Sequence, residues 1–272
     1  MSHNYIMKEC PIGIFDSGIG GLTVAHKIKE SLPNESIIYF GDTQHLPYGE
    51  KSEKLITEFS LKITEFLIKK KCKVIIIACN SASSIAYKSV KNLAKSIPVF
   101  NVIDPVTNMI SADPRYVNIG VIGTKATITS NIYSNKILKR DPGKNIYSLS
   151  TPLLAPMIEE NFIKDKIREG IIENYLSNPI LKNIDSLILG CTHYPLILNE
   201  ISSFYNDQVK VIESDHILSK FISNQLEKLS LKNLNSKVTY DFYVSDYTKS
   251  FEKSAKYFFK ENINLTEIKI HI

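Results

Sequence analysis

Cys79 and Cys191 stand 112 positions apart in nearly the same sequence setting. The first closes Val74-Ile75-Ile76-Ile77-Ala78-Cys79 and is followed by Asn80-Ser81; the second closes Leu187-Ile188-Leu189-Gly190-Cys191 and is followed by Thr192-His193. Short, continuous apolar runs suit strands buried on both faces of a parallel sheet, whose C-terminal ends carry the chemistry of open α/β folds. A thiol between such a strand and the next helix lies near that helix's positive end, which favours the thiolate over a free pKa of about 8.5. One such cysteine is adequately explained as a small buried residue at a strand terminus. Two in matched surroundings point to one site assembled from two related halves.

Three chemistries use these thiols. A Cys-His hydrolase would pair Cys191 with His193, but near-neighbours in sequence rarely reach the needed geometry, and Cys79 would be idle. A zinc site of Cys79, Cys191 and His193 lacks a familiar spacing and a fourth ligand. The third is proton transfer at carbon, in which hydrogen leaves one face of a stereocentre and returns on the other. Two acid/base groups of one type, one held as thiolate and one as thiol, suit that task in both directions.

Other motifs suit a small anionic substrate. Asp16-Ser17-Gly18-Ile19-Gly20-Gly21 follows an apolar run and opens a helix, so its amides and the Ser17 hydroxyl can meet charged groups. Thr23 stands where a dinucleotide fingerprint needs its third glycine, and the P-loop's Lys-Ser/Thr ending is missing. A tight strand-helix turn explains the segment equally well. Pro47-Tyr48-Gly49 reads as a turn beyond a strand's end.

The elements that must position these residues alternate in type. Apolar runs predict strands at Ile12–Phe15, Ile37–Phe40, Val74–Ala78, Val99–Val102, Val117–Ile122, Ile146–Leu149, Leu187–Leu189, Val209–Ile212 and Val238–Val244. Helices are expected from Gly21, from Lys51 with Leu55, Phe59, Ile63 and Leu67 as its apolar stripe, over Ala82–Lys95 and over Met157–Tyr175. Such alternation argues for parallel sheets with helical crossovers. Gly13, Pro47 and Cys79 are echoed by Gly120, Pro156 and Cys191, in the same order at offsets of 107, 109 and 112. The expected fold is therefore α/β with two pseudo-symmetric lobes, each a mostly parallel sheet flanked by helices, and the active site in the cleft between them. Residues 1–98 with 211–272 form the first lobe, carrying Cys79, and 99–210 form the second, carrying Cys191.

Composition restricts the partners. The 33 Lys and Arg against 28 Asp and Glu give a net charge of +5, but the lysines are scattered, so no nucleic-acid patch is expected. The densest group, Lys69-Lys70-Lys71 with Lys73, reads as a solvated helix end. The excess charge suits attraction of an anionic small molecule. No apolar run approaches the ~20 residues that span a bilayer, and no signal segment opens the chain, so a soluble cytoplasmic protein is expected. The four cysteines show no disulfide framework and should be free thiols, with Cys10 and Cys72 as filler at element edges.

Asp16-Ser17-Gly18-Ile19-Gly20-Gly21, Gly41-Asp42, Pro47-Tyr48-Gly49, Ala78-Cys79-Asn80 and Gly190-Cys191-Thr192-His193-Tyr194-Pro195 together closely resemble glutamate racemase, of the aspartate/glutamate racemase family. The match runs in order over most of the chain and is weak over the last 50 residues. It implies a cofactor-independent, metal-free enzyme that interconverts L- and D-glutamate and supplies D-glutamate for peptidoglycan, often as a homodimer. It also implies that Cys79 takes the α-proton from D-glutamate and Cys191 that from L-glutamate. Asp16, Ser17, Pro47, Tyr48, Gly49, Asn80, Ser81, Thr192 and His193 match the family's substrate-binding positions, with Asp16 and His193 placed to orient a thiol or shuttle its proton. Thr124 and Thr127 resemble the donors to the side-chain carboxylate, and Glu159 an acidic position near the second thiol. Ser81 stands where the family usually has Thr, and Glu213-Ser214-Asp215 replaces a more usual Asp-Ser-small string. An aspartate or other acidic amino-acid racemase with the same thiols, and a non-catalytic acidic-ligand sensor, are the competing readings.

An α-proton of an amino acid is a very weak acid, and no Schiff-base lysine is identifiable. The site must then stabilise carbanion charge by fixed donors in a dry cleft. Both sulfurs must lie about 3–3.5 Å from the reacting carbon, hence near 7 Å apart. That separation excludes a disulfide of about 2 Å, and closure of the lobes would exclude water.

Overall fold

The computed structural model describes residues 8–160, 165–235 and 237–270. Its strands are β1 (Ile12–Asp16), β2 (Ile37–Gly41), β3 (Val74–Ile77), β4 (Val99–Asn101), β5 (Asn118–Gly123), β6 (Asn145–Ser150), β7 (Ser186–Gly190), β8 (Lys210–Ile212), β9 (Tyr240–Val244) and β10 (Leu265–Glu267). They form a six-stranded sheet in the order β10-β9-β2-β1-β3-β4 and a four-stranded sheet in the order β6-β5-β7-β8. Every pairing is parallel.

Helices carry the chain back between strands, as parallel pairing requires. They are α1 (Leu22–Ser31), α2 (Glu53–Lys69), α3 (Asn80–Ile85), α4 (Tyr87–Ala94), α5 (Ile103–Ala112), α6 (Lys125–Thr129), α7 (Ile132–Arg140), α8 (Leu154–Glu160), α9 (Asp165–Leu176), α10 (Leu198–Phe204), α11 (Ser214–Lys228) and α12 (Lys249–Phe259). None of the described helices is long and apolar enough to cross a membrane.

The period-two alternation of strand side chains decides which face each residue serves. Ile12 and Ile14 of β1, Ile37 and Tyr39 of β2, and Val74 and Ile76 of β3 join one core cluster, with Leu22, Ala25 and Ile28 of α1. Their neighbours Phe15, Ile38, Phe40, Ile75 and Ile77 join a second cluster on the opposite face, under Ile56, Phe59, Ile63 and Leu67 of α2. Burial on both faces explains why these strands read as unbroken apolar runs.

The repeat inferred from motif offsets appears in the topology. The order β2-β1-β3-β4 in one sheet is matched by β6-β5-β7-β8 in the other. The cysteine strands β3 and β7 occupy the same place in each series.

Several expectations need correction. Val99–Asn101 pairs with β3 in the six-stranded sheet, not in the second sheet to which a boundary after residue 98 would assign it. Lys210–Ile212 pairs with β7 and so straddles the boundary drawn at 210/211. The helix expected over Ala82–Lys95 starts at Asn80 and is divided at Ala86 into α3 and α4. The helix expected over Met157–Tyr175 is described as α8 and α9, with 161–164 outside the described residues. On α2, Leu55 is 38% exposed and Ile56 takes its place in the core. Lys73 belongs to no solvated helix end: it is buried against Glu35, with main-chain carbonyls of Lys8 and Leu231 accepting its other protons. A buried ammonium without such partners would be prohibitively costly.

Candidate active site

A cavity of about 250 Å³ opens at the C-terminal ends of the strands of both sheets. Asn80 and Ser81 after β3, and Ser17 and Gly18 after β1, line one side; Thr124 after β5, and Thr192 and His193 after β7, line the other. Cys79 and Cys191 are both on its wall, each from a different sheet. The volume is near the lower end of the ~300–1,000 Å³ range of ligand pockets, which suits a small molecule.

Cys79 caps α3: its Sγ accepts from the Ala82 amide at 3.4 Å and donates to Ser17 Oγ at 3.5 Å. Burial pushes the thiol up to about 12, with the Asp16 charge adding to the effect and the Ala82 and Ser17 hydrogen bonds opposing it. The helix-end argument from sequence predicted the opposite direction. A two-turn helix offers too little field to offset full desolvation of a thiolate.

Cys191 has a different companion. Its Sγ lies 3.5 Å from His193 Nδ1, while His193 Nε2 meets Glu159 Oε1 at 2.6 Å. Burial alone would depress the imidazolium, but Glu159 and Cys191 outweigh it and hold the His193 pKa well above its usual value. His193 is therefore cationic at neutral pH, with a proton on each nitrogen to donate to sulfur and carboxylate.

The neutral donors come from both sheets. Tyr133 on α7 donates to Asn80 Oδ1 at 2.7 Å, leaving Asn80 Nδ2 buried without a protein acceptor among the described residues. Ser81 Oγ and Thr124 Oγ1 are 2.8 Å apart, and Thr124 Oγ1 caps α6 by accepting from the Thr127 amide. The Tyr48 hydroxyl is committed to Asp42 Oδ2 at 2.6 Å, so the Tyr48-Gly49 segment presents its main chain to the cavity. Asp42 also accepts from Ser245 Oγ at 2.7 Å and meets His45 Nδ1 at 2.8 Å, which fixes the loop leading to Pro47. Among the described residues, no Lys or Arg lines the cavity.

Two glycines let the halves approach. A Cβ on Gly20 would lie 2.4 Å from His193 Cε1 and 2.5 Å from Thr192 Oγ1. A Cβ on Gly49 would lie 2.6 Å from Thr124 Cβ. Real Cβ atoms do not come so close, so only glycine permits either contact. Nearby, Thr23 Oγ1 donates to the Thr192 carbonyl at 3.2 Å, tying α1 to the turn after β7.

Of the residues predicted from sequence, all but Asp16 and Thr127 line the cavity. Thr127 sits behind Thr124, its Oγ1 accepting from Thr124 Oγ1 at 3.1 Å. Asp16 is fully buried below the turn, where its Oδ2 accepts from the Gly18 amide at 3.1 Å. Burial pushes its carboxyl up, against the opposing pull of the His193 charge and the Gly21 and Gly18 amides. Among the described residues, no group of three His, Cys, Asp or Glu is arranged to hold a metal ion. The Cys-His reading finds its pair, but Cys79 shares the cavity rather than standing idle.

Sequence reasoning missed Leu46 and Ala155 on the cavity wall, and Tyr133 behind it. It also missed Phe258 of α12, which packs edge-on against His193 with ring centroids 5.3 Å apart. An apolar residue in a helical stripe gives no signal that it packs against a histidine of the cavity wall.

Known proteins resemble this chain over most of its length. The family model described as Asp/Glu/Hydantoin racemase matches residues 12–221. The chain is 38% identical over 259 residues to the glutamate racemase of Chlorobaculum parvum, covering 95% of each. It is 37% identical over 249 residues to that of Syntrophus aciditrophicus, covering 91% of this chain and 92% of the other. Among solved structures, the glutamate racemase of Francisella tularensis in complex with D-glutamate superposes with a TM-score of 0.91 at 40% identity, covering 97% of this chain and 98% of that one.

Proposed function

Since the chain belongs to the Asp/Glu/hydantoin racemase family, we propose that it is a glutamate racemase, interconverting L- and D-glutamate by two-thiol proton transfer without an added cofactor. The observation that carries this reading is the pair of thiols on one cavity wall, each at the end of a matched strand of a different sheet.

The residues divide the work as follows. Asn80 Nδ2 and the main chain of Tyr48-Gly49 donate to the substrate's carboxylates, joined by the Ser81 and Thr124 hydroxyls once their protons turn from Thr124 and Thr127 toward the cavity, which is how an anion is held where no Lys or Arg lines the described wall. From L-glutamate, the Cα–H bond breaks toward the Cys191 sulfur as the Cys79 S–H proton is delivered to the opposite face of the same carbon. From D-glutamate the two sulfurs exchange roles. Electrons balance without any oxidant, since one proton leaves carbon and another returns.

The resting state of Cys79 suits the first direction. Cys79, held up to about 12 by burial, is a thiol at neutral pH and the ready acid. The imidazolium of His193 is the partner an anionic sulfur on Cys191 would need. Asp16 acts from below, through its charge on Cys79 and His193. Fixed donors around the developing carbanion supply the electrostatic stabilisation that an electron sink would otherwise provide.

The reading extends to a role in supplying D-glutamate for peptidoglycan, in the cytoplasm, by a homodimer whose protomers are each divided into two lobes. Its test is the chirality of glutamate after incubation with enzyme free of pyridoxal phosphate and treated with a chelator. Approach to a racemic mixture from either enantiomer is expected; persistence of the starting enantiomer would overturn the assignment.

A further inference from the structure

Tyr133 is not part of the cavity wall, yet it touches the wall's most exacting donor. It is 2% exposed, it rises from α7 beside the four-stranded sheet, and its hydroxyl crosses to Asn80 of α3 beside the six-stranded sheet. Burial pushes the phenol up, so it stays protonated at any working pH. Its one proton goes to Asn80 Oδ1 at 2.7 Å.

A carboxamide has two unlike ends. Once its oxygen is fixed on a donor, its NH2 must point the other way. Asn80 is 3% exposed and lines the cavity, and its Nδ2 meets no protein acceptor among the described residues. A buried donor left unmet is costly, so an orientation that leaves it unmet needs something to impose it. The Tyr133 hydroxyl is the group that does so.

We propose that Tyr133 is a positioning residue for substrate binding: its hydroxyl locks the Asn80 carboxamide across the two sheets, aiming Nδ2 at a carboxylate of the acidic amino-acid substrate. This rests on the racemase reading of the same cavity. Loss of the hydroxyl frees the amide to rotate, and the donor is no longer preorganised. Binding then suffers more than the proton transfers, which belong to the sulfurs.

The test compares Tyr133→Phe, Asn80→Ala and the double variant in glutamate racemisation, with thermal unfolding measured alongside. Tyr133→Phe keeps the ring in place and should raise KM for both enantiomers about 3–10-fold, the loss expected of one hydrogen bond, with kcat within about twofold. The double variant should be no worse in KM than Asn80→Ala alone, because Tyr133 acts through Asn80. An unchanged KM in Tyr133→Phe, with or without a lower melting temperature, would reduce the residue to packing and overturn the proposal. KM effects that multiply in the double variant would also overturn it. A wild-type enzyme that does not invert glutamate would remove the functional reading and this proposal together, an outcome distinct from an active wild type with an indifferent Tyr133→Phe.

Discussion

His193 Nε2 lies 2.6 Å from Glu159 Oε1, and this contact is what keeps a buried imidazole charged. Burial opposes the charge, and the neighbouring carboxylate and thiol reverse the outcome. The pair therefore sets the protonation state of the group that faces Cys191.

Glu159→Gln should lower the His193 pKa from its wild-type value, because burial is then opposed by Cys191 alone. In the wild type the imidazolium survives above neutrality. In the variant it should be lost as pH rises through the lowered pKa. The pH–kcat/KM profile, measured from pH 5.5 to 9, should shift its active range toward acid and fall about 10²-fold at pH 8. Superimposable profiles would show that Glu159 does not govern His193.

Linkage gives the same pair a stability signature. A group whose folded pKa is raised above the unfolded one contributes stability that is full below the unfolded value and is lost as pH rises through the folded value. For His193 that loss begins above about 6.5 and is complete only well beyond it. Denaturant midpoints of the wild type should therefore exceed those of His193→Gln by more at pH 6 than at pH 9. A pH-independent difference would contradict the charged state.

The buried thiols act at higher pH. Cys72 and Cys79 are both raised by burial from 9.0 to about 12. The unfolded chain releases these protons near pH 9 while the folded chain retains them, so stability falls between pH 9 and 12. Each tenfold change in proton affinity is worth about 1.4 kcal/mol, so the loss is on the order of a few kcal/mol per thiol. Urea unfolding should show Cys79→Ser losing less stability than wild type between pH 8 and 10.5. Parallel losses would mean that the Cys79 thiol is not held neutral by folding.

Gly20→Ala tests the approach of the two halves. The added methyl would stand 2.4 Å from His193 Cε1, so the ring or the turn must move. We expect a destabilisation of about 1–3 kcal/mol and a drop in kcat larger than that of a remote mutation of equal cost. An active, fully stable Gly20→Ala enzyme would show that the contact yields freely.

What could be read in the sequence follows from where burial dictates residue type. Val74–Ile77 and Ser186–Gly190 are fully buried, so their apolar runs named them as strands and set Cys79 and Cys191 at their ends. Leu265–Glu267 was invisible because a three-residue edge strand with mostly exposed side chains needs no apolar pattern. The division of the helix at Ala86 carries no Pro or Gly to announce it. The side chains of the site were legible where they carry polar chemistry and illegible where they support it: Tyr133 and Phe258 look like ordinary core aromatics until their partners are seen. The Cys79 pKa was misread because a local helix end is visible in sequence and the depth of burial is not.

If two sulfurs serve opposite faces of one carbon, early turnover of L-glutamate in heavy water must bring solvent hydrogen into the inverted product alone. D-glutamate should carry deuterium at Cα while the recovered L-glutamate remains protiated, and inversion should be crippled in both Cys79→Ser and Cys191→Ser. D-glutamate that retains the substrate's own hydrogen, or undiminished inversion in either serine variant, would contradict the two-sulfur mechanism.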